Sequence, residues 1–383
     1  MVGSFLGLVG VSGLTAVSSA EESVPVAENL AYALSTRYAP FASWEQSVDV
    51  DALATESVSR YWRTADAIRS QRGEGDLPLA GLHLALDPGH LGGFWADYEG
   101  RRFRMSVDDY WVKEGDLVLE VAERLKVRLE AKGARVSLLR TSDEPANSRR
   151  PVDYLEAVAI SMGRPADRSW EGWQAHGRAM RSRAIRQAIV VDELAERSRL
   201  VNEVIRPDAL LSLHINAGAW PRLVLEPGAE PVEVRRLLES NHLHVLIFGC
   251  MSERELESAA QRERLTRKLL NGSGSEEVAL GGTLANALAQ ATGLPPSVYD
   301  GDNAVRIDGD PYVFARNLML LRLVECPTVM LEPYIANGRP AYARLQQALA
   351  DRAEGRTLAD DDILLEYTEA VVVGILVHYG GFP

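Results

Sequence analysis

The sequence predicts an α/β fold in which helices flank a twisted, mostly parallel sheet, with a helical N-terminal prefix and helical insertions. Short apolar runs at residues 84–86, 209–213 and 328–331 are typical of buried strands, and each run leads to a polar side chain. An amphipathic pattern at residues 114–132 predicts a helix, and residues 134–139 predict the strand that follows it. Because strand, helix and strand alternate here, we expect a parallel crossover.

The remaining elements follow from the same periodicities. Apolar residues at three- and four-residue spacing predict helices at 26–38 and 50–69, which together form a prefix packed on the rest of the chain. Beyond residue 139, the patterns predict a strand at 242–248, sheet residues at 314–324, and helices at 192–206, 252–271, 278–292 and 363–379.

Composition limits the classes of partner. The chain has 383 residues, of which 46% are hydrophobic and 25% charged, as in an ordinary globular protein. Its formal net charge of −13 argues against nucleic acid as a partner. We interpret the arginines that gather between Arg178 and Arg199 as a solvated helix face. Cys250 and Cys326 lie in no metal-binding spacing, so we expect buried free thiols.

The first 20 residues are apolar and small, which makes them a candidate signal peptide, although the first basic residue is Arg37. They predict export to the periplasm, the cell wall or the medium, and a membrane span is disfavoured because this run, rich in glycine and serine, is of marginal length. The predicted organisation is a signal peptide at 1–20, a helical N-terminal region at 21–78 and a catalytic domain at 79–383. Insertions in that domain are expected at about 145–192 and 221–275.

The polar residues at the strand ends carry the strongest functional signal. His90 and His214 follow the first two apolar runs, Glu332 ends the third, and Glu114 opens the helix between the first two. The carboxyl ends of parallel strands meet at one edge of a sheet, where such folds bind ligands. Two imidazoles and one carboxylate are typical of a catalytic zinc site with an open position, and a further carboxylate could act on the bound water.

The order of these residues is similar to that of a known family. The matching segments are Asp-Pro-Gly-His at 87–90, Glu114, Ser-Leu-His-Ile-Asn-Ala at 212–217, and Glu332 with Asn337. Over roughly residues 81–345 the sequence resembles the zinc-dependent N-acetylmuramoyl-L-alanine amidases, whose motifs are D-P-G-H, E-K, S-I-H-A-N-A and V-E-x-G-F-x-x-N.

The resemblance implies an enzyme that hydrolyses the amide bond between N-acetylmuramic acid and L-alanine, with peptidoglycan as its partner. It implies one Zn²⁺ per chain, held by His90, Glu114 and His214, with Glu332 as the catalytic base. A bound zinc ion lowers the pKa of its water towards about 7, so that Glu332 could accept the proton at neutral pH.

The resemblance to the amidase family also points to two further site residues, and the sequence differs from the family's motifs at two places. Arg322 and Asn216 are candidates for binding the substrate or supporting the metal ligands. Gly115 stands where the family has a lysine, and the turn after Glu332 is one residue shorter than the family's turn.

The acidic segment at 251–275 is a candidate for autoinhibition through Glu253, Glu255 or Glu257. It follows the strand that comes after His214, so we expect one of its ends near the metal. Some members of the family carry an inserted helix here that covers the zinc until a protein activator removes it. A solvated helix packed beside the sheet is an equally good interpretation.

Two smaller groups have a structural and a functional interpretation. Trp170 and Trp173 lie in the first insertion, where a small apolar cluster is favoured over stacking on sugar rings. His242 and His244 share one face of a predicted strand, and ordinary surface or core histidines are favoured over a second metal site.

Two other functions compete with the amidase. Another zinc peptidase of similar fold, such as a carboxypeptidase, would need further Asp or His ligands at strand ends, which the sequence does not offer. A non-catalytic cell-wall-binding regulatory protein is disfavoured because all the metal-type residues occur together.

Overall fold

A computed structural model of the protein describes residues 26–223, 232–359 and 361–381, so the candidate signal peptide lies outside the described residues. The strands are β1 (His83–Pro88), β2 (Arg102–Phe103), β3 (Val112–Lys113), β4 (Arg135–Leu138), β5 (Ala209–Leu213), β6 (Arg222–Leu223), β7 (Val232–Glu233), β8 (His244–Phe248), β9 (Val305–Arg306), β10 (Val313–Arg316) and β11 (Thr328–Glu332). The α-helices are α1 (Ala27–Ala33), α2 (Val50–Leu53), α3 (Ala65–Ser70), α4 (Trp95–Glu99), α5 (Glu114–Glu130), α6 (Leu155–Met162), α7 (Trp170–Arg186), α8 (Asp192–Arg199), α9 (Glu253–Leu256), α10 (Ala259–Leu270), α11 (Ser273–Thr292), α12 (Met319–Leu323), α13 (Arg339–Ala353) and α14 (Ile363–Ile375). Turns of π-helix continue four of them, at Leu34–Tyr38, Gln187–Val191, Leu200–Ile205 and Leu376–Gly380.

Seven strands form the central sheet in the order β4-β1-β5-β11-β8-β10-β9. Strands β4, β1, β5 and β11 are parallel to one another, and β8 is parallel to β10. Strand β8 pairs antiparallel with β11, and β9 pairs antiparallel with β10. The predicted mostly parallel α/β sheet is therefore confirmed, and its carboxyl edge at β1, β5 and β11 also receives the first residues of β8.

Both faces of the sheet are buried, which explains why its strands read as continuous apolar runs. Leu84 and Leu86 of β1 belong to the apolar cluster that includes residues of α5, α11 and α14. Ala85, between them, points to the other face and packs with Trp62 and Leu210. The fold is thus a three-layer arrangement with helices on both sides.

The C-terminal helix α14 is apolar and, with its π-helical continuation, long enough to cross a membrane by length and composition. In the fold it packs against α5 and α11, and Ile363, Tyr367, Val371 and Ile375 are fully buried. The predicted closing helix is confirmed as a core element of the sheet's first face.

The N-terminal region packs directly on the second face of the sheet. Leu34 and Tyr38 lie in one apolar cluster with Phe248 of β8 and Phe314 of β10. Arg37 also donates to the carboxylate of Glu277 in α11 and to the carbonyl oxygen of Phe248. The first predicted helix is therefore present, as α1 and its π-helical continuation.

The prediction of one continuous helix at 50–69 is wrong for the middle of that segment. Only α2 and α3 are helical, each capped by a side chain, Asp49 and Thr64 respectively. Between them, residues 56–64 are not helical, and Arg63 donates to Asp208 just before β5, at 2.7 Å from Nη2 to Oδ2. The apolar residues of this segment have helical spacing, but its contacts next to the sheet favour a non-helical conformation.

The predicted first insertion contains α6 and the long α7, which leads through a π-helical turn into α8. Trp170 and Trp173 at the start of α7 are 72% and 48% exposed. Their predicted role in an apolar cluster is therefore wrong. The predicted buried free thiols are confirmed, since Cys250 and Cys326 are buried and unpaired with each other.

Candidate metal centre

Three predicted metal ligands converge at the carboxyl edge of the sheet. His90 follows β1, Glu114 is the first residue of α5, and His214 follows β5. One ligand atom from each lies within 4.8 Å of the other two. The closest approaches are 3.1 Å from His214 Nδ1 to Glu114 Oε1 and 3.6 Å from His90 Nε2 to Glu114 Oε2. The fold thus brings two imidazoles and one carboxylate to a common point.

Unusual backbone geometry accompanies this approach. His90 has a left-handed φ of 52°, a conformation that L-residues adopt rarely and mostly at functional sites. A Cβ atom on Gly89 would lie 2.3 Å from Cε1 of His214. A Cβ atom on Gly115 would lie 2.3 Å from the carbonyl carbon of Leu91, so no side chain fits where the resembling family has lysine. These glycines let the loop after β1 lie against both α5 and His214.

Glu99, at the end of α4, supports His90 from the side opposite Glu114. Its Oε2 lies 3.4 Å from His90 Nδ1 and accepts a hydrogen bond of 2.7 Å from the amide of Leu91. A carboxylate behind a histidine fixes the ring and is the usual outer partner of a metal-binding imidazole. Sequence reasoning missed Glu99, because only the fold of the segment at 91–109, between β1 and α5, shows which of its carboxylates faces His90.

A chain of buried hydrogen bonds supports His214. The Ser212 hydroxyl donates to Asp87 Oδ2 at 2.7 Å, and Arg197 Nη1 donates to Asp87 Oδ1 at 2.8 Å. The oxygen of Ser212 lies 3.2 Å from His214 Nε2. Because the Ser212 proton is directed to Asp87, this oxygen accepts the Nε2 proton of His214. His214 Nδ1 is then left with its lone pair.

That lone pair faces the carboxylate oxygen of Glu114 at 3.1 Å. Two electron-pair donors at this distance repel unless a proton or a cation lies between or beside them. The donor set of two imidazole nitrogens and a carboxylate oxygen therefore fits a zinc ion, with both histidines held from behind.

The electrostatics keep Glu114 ionised. Burial raises the pKa of Glu114, but the charges of His90 and His214 and the contact with His214 outweigh it and lower the pKa to about 2. Burial lowers the pKa of His214, but the contact with Glu114 and the charges of Glu114, Glu332 and Asp87 together outweigh burial and leave that pKa raised. The centre thus holds an anionic carboxylate in a buried position, as a metal ligand requires.

Glu332, the predicted catalytic base, ends β11 next to His214, whose amide donates to the carbonyl oxygen of Leu331 at 3.0 Å. Burial raises the pKa of Glu332, but the contact with His244 and the charge of His214 outweigh it, so the pKa lies below its usual value. Glu332 is therefore an ionised carboxylate at neutral pH and can accept a proton there.

The short turn after Glu332 closes through Tyr334, whose φ of 66° is left-handed. Asn337 then binds the backbone of Gly218, accepting from its amide at 2.9 Å and donating to its carbonyl oxygen at 2.8 Å. Asn216 pairs with Ile335 across the same gap. These contacts join the segments that follow β5 and β11 and hold the turn in place.

A cavity of about 620 Å³ opens over these residues. His90, Glu114, His214, Asn216 and Glu332 are among its lining residues. We refer to it as the metal cavity. The fold therefore unites the three predicted ligands, the predicted base and one of the two predicted substrate residues in one concave site.

Arg322, the other predicted substrate residue, is not brought to this cavity. It lies on α12, and its guanidinium donates to Oδ1 of Asn317. Leu318, Met319 and Leu320 line the cavity instead. Arg101, which sequence reasoning missed, does line it, and its Nη1 lies 3.8 Å from Glu114 Oε2.

His244, which the sequence favoured as an ordinary surface or core histidine, also belongs to the site. It is buried at the start of β8, directly opposite Glu332 in the register of β11, with 3.6 Å between His244 Nε2 and Glu332 Oε2. The hydroxyl of Tyr299 lies 3.3 Å from the same nitrogen. The spacing of His242 and His244 had shown a shared strand face, but the antiparallel pairing that aims His244 at Glu332 was not predicted.

The acidic segment lies elsewhere. Because β8 is antiparallel to β11, its first residue is at the metal edge and its last residue is at the opposite edge. The expectation that residues 251–275 begin near the metal is therefore wrong. Glu253 accepts from the amide of Ser43, and Glu255 caps α9 through Ser252. Glu257 follows the last residue of α9, and the three glutamates are not among the residues that line the metal cavity.

Comparisons with known proteins give structural similarities only. No protein-family model and no curated protein matches the sequence. The chain is similar to the N-acetylmuramyl-L-alanine amidase Ami1 of Mycobacterium smegmatis, with a TM-score of 0.41 and 18% identity over 79% of this chain and 99% of that chain. It is also similar to the amidase CwlD of Clostridioides difficile, solved with the GerS lipoprotein, with a TM-score of 0.40 and 12% identity over 79% of this chain and 100% of that chain. The amidase AmiC2 of Nostoc punctiforme matches with a TM-score of 0.37 and 16% identity over 78% of this chain and 97% of that chain.

Proposed function

We propose that this protein is a zinc-dependent N-acetylmuramoyl-L-alanine amidase that hydrolyses peptidoglycan. The observation that carries the proposal is the convergence of His90, Glu114 and His214 on one point beside the ionised carboxylate of Glu332. The same residues stand in the order of the four motifs that the sequence shares with this amidase family.

His90, Glu114 and His214 would hold the zinc ion and leave one coordination position open towards the metal cavity. Zinc bound there supplies a Lewis acid for the scissile carbonyl and lowers the pKa of a coordinated water towards about 7. Glu99 and the chain from Ser212 to Asp87 keep the two imidazoles in the orientation that binding requires.

Glu332 acts as the general base and then as the general acid. It accepts a proton from the attacking water as the new C–O bond forms at the scissile carbonyl. It returns that proton to the departing nitrogen as the C–N bond breaks, which leaves a carboxylic acid on the lactyl group and a free amine on L-alanine. The lowered pKa of Glu332 suits the first of these steps at neutral pH.

Asn216 and Arg101 are the side chains that we assign to substrate binding. The Asn216 Oδ1 atom accepts from the amide of Ala217 at 2.7 Å, and its Nδ2 atom makes no hydrogen bond within the described part of the chain. That amide group can donate to a carbonyl oxygen of the substrate. Arg101 is 41% exposed at its side chain and lines the metal cavity, where it can bind an oxygen of the substrate.

Export to the periplasm or cell wall is part of the proposal, since an insoluble wall substrate requires it. Its sequence basis is the candidate signal peptide at residues 1–20. A protein activator was inferred for the acidic segment at 251–275, and the position of that segment at the opposite edge of the sheet gives it no support.

The test is incubation of the zinc-loaded protein with purified peptidoglycan, followed by mass spectrometry of the soluble products. We expect free peptides that begin with L-alanine, and glycan chains that retain intact N-acetylmuramic acid. A zinc peptidase would instead release fragments cut within the peptide, and a wall-binding regulatory protein would sediment with the wall and release nothing. Either of those results would refute the amidase.

A further inference from the structure

A second groove adjoins the metal cavity along α7. It has a volume of about 450 Å³, and its lining includes Tyr98, Arg178, Arg181, Arg186, Ile189 and Val190. We call it the arginine groove. Ile189 and Val190 also line the metal cavity, as does Glu99, so the two spaces share a wall. A molecule bound over the metal ligands could therefore extend into the arginine groove.

The arginines of this groove lack counter-ions. Arg178, Arg181 and Arg186 make no ion pair or hydrogen bond with any residue in the described ranges. Arg197, on the same run of helix, is by contrast bound to two buried carboxylates. Like charges close together on a helix destabilise it, and the chain as a whole is acidic. Three unpaired guanidinium groups thus line one concave surface, in which Glu99 is the single carboxylate among the lining residues.

Glu99, the carboxylate among the groove's lining residues, already has partners of its own. Glu99 faces His90 and accepts from the amide of Leu91 through the same oxygen. Tyr98 is 51% exposed and offers an aromatic face next to the arginines. Guanidinium groups bind carboxylates through paired N–H donors, and an exposed tyrosine packs against flat amide groups. The chemistry of the groove is that of a site for an acidic peptide.

We infer that the arginine groove binds the carboxylates of the peptide that is released, an inference that rests on the proposed amidase function. In that substrate the lactyl carboxyl group is tied up in the scissile amide, and the N-acetylated sugars are uncharged. The acidic groups therefore lie on the peptide side of the bond. A positive groove on one side of the metal cavity fixes the direction of the substrate, with its peptide along α7.

The length of the groove agrees with this occupant. Ile189, in the shared wall, and Arg178 are eleven residues apart on a continuous helical run. At about 1.5 Å per residue this distance is about 16 Å. An extended peptide advances roughly 3.3 Å per residue, so roughly five residues would span it.

The test compares Arg178→Gln/Arg181→Gln with the matched control Arg183→Gln, which removes an exposed arginine of α7 that is not among the groove's lining residues. With a substrate carrying an acidic peptide we expect KM to rise by about tenfold for the double variant, with kcat nearly unchanged, since charged hydrogen bonds are lost. Amidation of the peptide carboxylates should abolish this difference, and Arg183→Gln should behave as the wild type.

Direct binding separates this inference from the proposed function. The probe is a soluble pentapeptide that begins with L-alanine and carries two carboxylates, titrated calorimetrically into the full chain beside its amidated form. Weaker binding of the acidic peptide by the double variant alone supports the groove even if no amidase activity is found. Equal binding of the acidic and amidated peptides, or equal binding by wild type and double variant, overturns the inference and leaves a solvated arginine face.

Discussion

The two halves of the sheet supply the candidate centre from opposite directions. In the parallel half, β1, β5 and β11 end at the metal edge, and they deliver His90, His214 and Glu332. In the other half, β8 runs the opposite way, and its first residue, His244, reaches the same edge. The parallel half thus carries the predicted metal and base chemistry, whereas β8 adds a group that acts on the base alone.

The largest effect should come from the ligands of the parallel half. His90→Ala and His214→Ala each remove one of three donors, so we expect loss of zinc and of all amidase activity in a folded protein. Zinc content by elemental analysis should be close to one per chain in the wild type. Full zinc and normal turnover in either variant would contradict the assigned ligands.

The base at the border of the two halves comes next. Glu332→Gln retains the shape of the side chain but cannot accept a proton, so kcat should fall by about 10²–10⁴-fold. Zinc content should stay that of the wild type, because Glu332 is not one of the assigned ligands. Peptide release from peptidoglycan, measured over time, checks the rate, and a loss of zinc would show that Glu332 belongs to the ligand set.

The support behind His214 should have a smaller effect, on metal affinity. Ser212→Ala removes the acceptor of the His214 Nε2 proton, and zinc affinity should fall by about 10–100-fold. Competition with a chelator of known affinity measures this change. Thr328→Ala, a buried hydroxyl of β11 that donates to the carbonyl oxygen of Cys326, is the control and should leave zinc affinity unchanged.

The smallest effect should come from the other half of the sheet. His244 helps to lower the pKa of Glu332 while burial raises it, so His244→Gln should raise that pKa. A protonated Glu332 cannot act as the base, and the acid limb of the pH-rate profile should therefore move to higher pH, with unchanged zinc content. Tyr299→Phe, which keeps the imidazole, should leave the limb in place. If the acid limb of the pH-rate profile does not move in His244→Gln, His244 does not affect the base, and the residues of the parallel half alone set its pKa.

Much of the parallel half could be predicted from sequence because its strands are buried on both faces and end at polar residues. The apolar run before His214 indicates both the strand and its direction towards the site. The direction of β8 was not predictable in this way, since an apolar run at 244–248 reads equally well in either orientation. The direction depends on which neighbour the strand pairs with, a contact between residues about 90 positions apart in the chain, as with His244 and Glu332.

The supporting residues were harder to predict than the ligands for a similar reason. Glu99 is one of several carboxylates in the segment at 91–109, and only the path of that segment brings it to His90. The exposure of Trp170 and Trp173 likewise depends on how far α7 extends from the sheet. By contrast, Glu114 was predictable because the amphipathic helix that it opens begins at the edge where the strands end.

The packing of the N-terminal region has a practical consequence for any attempt to shorten the protein. A chain that starts at Leu79 would retain every assigned metal ligand but would lose the residues that cover Leu246, Phe248, Phe314 and Met330. The shortened chain would also lack Arg37, which forms an ion pair with Glu277. The buried carboxylate of Glu277 would then keep its ion pair with Lys268. Recombinant expression of such a fragment should give aggregated material, and soluble enzyme should require a start before Leu30.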